Sequence, residues 1–172
     1  TAYDETHELR QFAELPLTLY IGRDDFPFPI PLVEDAGKWR FDTAAGAEEI
    51  LDRRIGENEL AAIEVLRASV DAQREYAEAD RDGKGVQYAR RILSSQGRMD
   101  GLYWPDAEGA PESPLGPLVA EAQSEGYKAP KGGGPAPYHG YLFRVLTGQG
   151  EEASGGARDY IVHDRMIGGF GL

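Results

Sequence analysis

The residues best suited to do chemistry in this chain fall into two groups. The first is acidic. Glu78, Asp80 and Asp82, followed by Gly83, match positions 1, 3, 5 and 6 of a calcium loop, where alternate acids and a sharp-turn glycine are required. The match stops there: position 12 falls on Ala89, where a bidentate glutamate belongs, and Lys84 places a positive charge beside any cation. A solvated helix end leading into a turn is the other reading of this stretch. A weak calcium site would need acids from elsewhere in the chain. The second group is aromatic. Tyr103, Trp104, Tyr138, His139 and Tyr141, with Pro105 and Pro137, have the composition of a sugar or peptide groove, or of a tyrosine-rich seam closing loops onto a sheet. Asp100 and Asp106 lie close enough in sequence to Trp104 to furnish a carboxylate pair of the kind glycosidases use.

Other chemistries lack their parts. The three histidines, His7, His139 and His163, are widely separated, and no HExxH or HxH spacing occurs. There is no GxSxG elbow, no phosphate-binding Walker loop and no GxGxxG opening a helix. Gly132-Gly133-Gly134 is bounded by prolines and lysines and reads as a loop, not a phosphate cradle. Ser69, Ser94 and Ser95 have no base at a recognisable spacing. With no cysteine, disulfides, thiolate zinc sites, iron–sulfur clusters and a thiol nucleophile are excluded. Thirty acids against 18 bases give a formal charge of −12, which argues against nucleic acid or an anionic membrane as partner. No run approaches the ~18 apolar residues of a membrane span.

The elements that must position these residues can be read from periodicity and punctuation. Residues 1–14 carry Tyr3, Leu9 and Phe12 at helix-compatible spacing, ended before Pro16. Leu17, Leu19 and Ile21 alternate with Thr18 and Tyr20 as a half-buried strand does. Pro27, Pro29 and Pro31 restrict the next stretch to an extended edge segment. A hairpin then turns at Asp35-Ala36-Gly37 into Lys38–Phe41. Asp42 or Thr43 caps a helix that Gly56 stops, and Asn58 caps a second helix running to about Ala79, roughly 30 Å long. Leu60, Ile63, Leu66, Val70 and Tyr76 form its apolar stripe. A short helix is expected over Val86–Leu93. Ser113 and Pro114 read as N-cap and first residue of another helix carrying Leu118, Val119 and Ala122. Lys128–Pro137 reads as loop, Tyr138–Thr147 as a strand, and Asp159–His163 and Met166–Leu172 as two more.

Several blocks, in order along the chain, resemble the DUF2950 family of uncharacterised bacterial proteins. They include Asp25-Phe-Pro-Phe-Pro-Ile-Pro-Leu-Val33, Trp39-Arg-Phe-Asp-Thr-Ala-Ala-Gly46, Arg53-Arg-Ile-Gly-Glu-Asn-Glu-Leu60 and Val70-Asp-Ala-Gln-Arg-Glu-Tyr-Ala77. Asp100-Gly-Leu-Tyr-Trp-Pro105, Ser113-Pro-Leu-Gly-Pro-Leu118, Pro137-Tyr-His-Gly-Tyr141 and Met166-Ile-Gly-Gly-Phe170 continue the match. The resemblance implies export, with a signal peptide and an N-terminal helical region preceding Thr1, and further strand sequence beyond Leu172. It also implies an acid where Lys84 stands and a glutamate where Gln87 stands, so this chain departs from the pattern at both. It supplies no catalytic residues. The segment from Asn58 is similar to a pseudopilin head, and the hairpin with Trp39-Arg40-Phe41 is similar to strands of NTF2-like domains.

The expectation is therefore an α+β protein in two parts. Residues 1–45 form a helix and β-hairpin part, akin to a remnant of an NTF2-like domain. Residues 46–172 form a pseudopilin-like part, a long amphipathic helix packed on an antiparallel sheet. The leading functional expectation is a non-enzymatic, exported structural or protein-interaction component of the bacterial periplasm or cell surface, with its signal peptide removed and no cofactor. The rival is a small-ligand or glycan-binding protein, or a hydrolase, using a cleft near Trp104 and Tyr138.

Overall fold

The computed structural model describes residues 1–13, 15–128 and 136–172. The Gly132–Gly134 run and most of the Lys128–Pro137 loop lie outside the described residues. The class is α+β, with helices and small antiparallel sheets. The chain divides into two compact units, Thr1–Glu57 and Asn58–Leu172.

In the first unit a single turn of helix, α1 (Ala2–Glu5), gives way to strand β1 (His7–Arg10). Of the helix expected over residues 1–14 only Ala2–Glu5 forms, and His7–Arg10 is strand instead. The reason is tertiary pairing: β2 (Thr18–Ile21) takes β1 as an antiparallel neighbour, His7 opposite Ile21 and Arg10 opposite Thr18, which outweighs a weak local helical pattern. On its other side β2 pairs with β3 (Phe26–Pro27), whose Pro27 suits an edge. The hairpin of β4 (Leu32–Asp35) and β5 (Lys38–Phe41) forms as expected, with Leu32 opposite Phe41 and Asp35 opposite Lys38. Ala36 and Gly37 both take positive φ, 50° and 77°, the two-residue turn whose twist matches the strands.

Helix α2 (Thr43–Tyr76) is one element of 34 residues, not two. Asp42 caps it, its Oδ1 accepting the Ala45 amide at 3.3 Å. Gly56 does not stop it, because a lone glycine costs a helix interior only ~1 kcal/mol and strong helix formers flank it. The helix ends at Tyr76, three residues short of the expected end.

In the second unit the residues after α2 are irregular, including Val86–Leu93, where the local pattern predicts a helix. Their backbone groups find other partners: Tyr88 N–H donates to Met166 O at 2.8 Å, and Leu93 bridges Tyr103. Helix α3 (Gly116–Ser124) begins two residues later than the Ser113-Pro114 signal indicates; Leu115 occupies the N-cap and Pro117 lies in the first turn. Ser113 is buried, and its carbonyl accepts the Gly116 amide at 2.8 Å. The strand expected over Tyr138–Thr147 does not form: His139 and Gly140, with φ of 46° and 80°, turn the chain back so that Tyr138 bridges Tyr141, and the residues after Tyr141 stay irregular apart from a single bridge at Leu146. Two short ribbons complete the unit: β6 (Gly148–Gln149) with β7 (Arg158–Asp159), and β8 (Ile161–Val162) with β9 (Arg165–Met166). His163 and Asp164 make the turn of the second ribbon, and Leu146 bridges Gly171.

The core of this unit packs the end of α2 on irregular chain, not on a broad sheet. Ala72 and Tyr76 meet Ala89, Leu102, Trp104 and Leu115. A second cluster gathers Val145, Tyr160 and Met166, flanked by Tyr88 and Phe170.

Candidate functional site

The predicted aromatic residues separate into two places. Trp104 is buried in the core, and its Nε1 donates to Pro111 O at 2.8 Å. Tyr103, beside it, is half-buried against the same cluster. Tyr138, His139 and Tyr141 instead share the tight turn at Gly140. There Tyr138 lies edge-on to Tyr127, ring centres 4.8 Å apart, and edge-on to His139 at 4.3 Å. His139 Nε2 lies 3.1 Å from Glu125 Oε2, and its backbone amide donates to the Tyr127 hydroxyl at 3.3 Å. Burial, reinforced by the neighbouring Glu125 carboxylate, pushes the Tyr138 phenol up to about 12. Tyr127 and Glu125 therefore belong to this cluster, although spacing alone does not reveal them. No hydrogen bond among the described side chains brings a serine hydroxyl to any of the histidines.

The acidic group is similarly dispersed. Glu78 and Asp80 are exposed. Asp82 turns inward: Gln87 Nε2 donates to both of its oxygens, at 3.1 and 3.0 Å, and Oδ1 also accepts the Lys84 amide. Among the described residues no group of three or more His, Cys, Asp or Glu side chains is arranged to hold a metal ion. Asp106 is exposed, whereas Asp100 is drawn into its own loop, accepting the Ser95 amide at 2.7 Å and the Ser95 hydroxyl at 2.9 Å. Burial would raise the Asp100 carboxyl, but these bonds and the Arg91 guanidinium hold it below the usual carboxylate range.

The irregular segment between α2 and Asp100 also encloses a cleft of about 530 Å³. It is lined by Tyr76, Tyr88 and Met99 and by the cations Arg81, Lys84, Arg90, Arg91 and Arg98. Gln87, another lining residue, accepts the Met166 amide at 3.0 Å while donating to Asp82. Arg81 lies over the Trp104 ring, 5.7 Å from its centre, so the buried indole supports a cleft residue from behind. A signal for this cleft is present in the sequence: five bases and one acid between Arg81 and Arg98, in a chain with acids in excess elsewhere.

The family model described as a protein of unknown function, DUF2950, matches residues 1–172, the whole chain. The chain belongs to the DUF2950 family. No curated protein and no solved structure matches it. Among the described residues of this DUF2950 protein, no helix is long and apolar enough to cross a membrane.

Proposed function

We propose that this DUF2950 protein is a non-enzymatic, exported bacterial component that assembles with another protein, and that its unit Thr1–Glu57 supplies the docking surface. One observation carries the reading. Among the described residues of that unit only Gly46 is buried, while Leu9, Phe12, Phe26, Trp39, Phe41 and Ile50 are all exposed. Apolar surface on that scale, without a buried side chain beneath it, marks an interaction face. The unit also carries 13 acids against six bases, so the partner that fits it is a protein with an apolar face rimmed by cations. Export rests on the family resemblance.

Size-exclusion chromatography of native extracts, with the complete reading frame at its natural level, tests this reading. The protein is expected in a membrane-external fraction and in a complex larger than a monomer. Trp39→Asp with Phe41→Asp should release it as a monomer. A lone monomer before any substitution overturns the docking reading, and retention in the cytoplasm overturns export.

A further inference from the structure

The cleft between α2 and Asp100 concentrates positive charge in an acidic protein. Its five cations against the lining acids Asp82 and Asp100 leave +3, or +2 once the Asp164 paired with Arg90 is counted, in a chain whose net charge is −12. Both acids are already engaged, Asp82 by Gln87 and the Lys84 amide, Asp100 by Ser95. Among the described residues only Arg90 of the five cations forms an ion pair, with Asp164 at 3.1 Å. The Arg81 Nε is buried with no acceptor among the described residues. Like charges gathered around one cavity repel one another, and their field is focused where water is partly excluded. Such a set is stabilised when an anion occupies the cavity.

We infer that this cleft binds a small phosphoryl-bearing ligand. Guanidinium groups match the oxygens of phosphate in paired hydrogen bonds. Each phosphoryl group brings about −1.5 to −2 at neutral pH, more charge per group than a carboxylate supplies, so one or two of them offset the lining cations that form no ion pair with a described residue, Arg81, Lys84, Arg91 and Arg98. A cleft of about 530 Å³ is in the range of small-ligand sites and exceeds what one phosphate fills. The half-buried Tyr88 and Met99 supply wall for the remainder of such a ligand, and the buried Tyr76 donates its hydroxyl to Met99 O at 2.9 Å.

Calorimetric titration of the full chain with inorganic pyrophosphate tests the site. One saturable equivalent is expected, weakening as sodium chloride is raised. Lys84→Ala and Arg98→Ala remove exposed side chains that make no hydrogen bond to a described residue, so the fold, checked by circular dichroism, should be kept. Each should lower the affinity about tenfold or more. Arg158→Ala, an equal loss of charge on β7, should leave affinity within about twofold. Absence of saturable binding at millimolar pyrophosphate overturns the site. Equal weakening by Arg158→Ala reduces it to a general charge effect and overturns it too. Citrate binding as tightly as pyrophosphate overturns the phosphoryl assignment.

Discussion

Gln73 and Ala89 exchange a pair of hydrogen bonds: Gln73 Nε2 donates to Ala89 O at 2.9 Å, and the Ala89 amide donates to Gln73 Oε1 at 2.8 Å. The side-chain amide of a helical residue thus stands in for the neighbouring strand that Ala89 lacks. Both residues are buried, so water cannot substitute. Gln73→Leu keeps the volume but strands a buried donor and a buried acceptor, at about 1–3 kcal/mol each. We expect a loss of about 2–6 kcal/mol in urea unfolding. Gln73→Glu keeps the acceptor for the amide but faces the Ala89 carbonyl with a second oxygen, so it should lose part of the same amount. A loss below about 0.5 kcal/mol in Gln73→Leu would show that the pair contributes nothing.

Two glycines should respond to alanine in opposite directions. Gly56 lies inside α2 with nothing within 4 Å of the added Cβ. Gly56→Ala should stabilise by about 0.5–1 kcal/mol, through the unfolded chain and better helix propensity. At Gly46, also in α2, the new Cβ would stand 2.7 Å from Ile30 Cγ1. Gly46→Ala should therefore lower the melting temperature. Equal shifts at both positions would refute the close packing of Ile30 on the helix.

The contrast between these glycines also separates what is legible in a sequence from what is not. The β4–β5 hairpin, the Asp42 cap and the α+β class follow from local signals: a turn dipeptide, a capping carboxylate and apolar periodicity. Gly56 is ambiguous because a glycine inside a helix and one after it look alike until φ is known. Val86–Leu93 reads locally as helix, yet its backbone is held by Gln73, by Met166 and by Tyr103, the first two at 15 residues or more, which no local pattern reveals. For the candidate sites, residue types alone group Trp104 with Tyr138, while the fold buries the one and sets the other in a turn with Glu125. The cationic cleft shows no periodicity at all; only a charge count over a short window reveals it.

Asp100 should contribute to acid sensitivity. Its carboxyl titrates below the usual range in the folded protein, so the unfolded chain, near 3.9, takes up the proton first as pH falls. The stabilisation is present above the unfolded value and disappears as pH drops through the lower folded value. Asp100→Asn keeps an acceptor for the Ser95 amide but has no charge to lose. It should be less stable than the parent at neutral pH and approach it as pH falls through the lowered folded value. Urea midpoints at stepped pH values check this; a gap that widens towards acid would reverse the assignment.

The Tyr138 phenol supplies the alkaline counterpart. It is pushed up to about 12 by burial and then by Glu125, so between the unfolded value near 10 and that point the folded protein holds a proton that the unfolded chain has lost. Stability from this group is therefore complete below about pH 10 and is lost as pH rises through the folded value. Tyr76, also pushed up to about 12 by burial and by nearby acids, titrates in the same region, so the two must be separated. Tyr138→Phe should remove one late step from the phenolate absorbance titration and leave the Tyr76 step in place. Glu125→Gln removes the charge beside the phenol while keeping an acceptor for His139, and it should move the Tyr138 step to lower pH. If that step stays fixed in Glu125→Gln, burial alone holds the phenol, and the carboxylate beside His139 has no electrical hold on Tyr138.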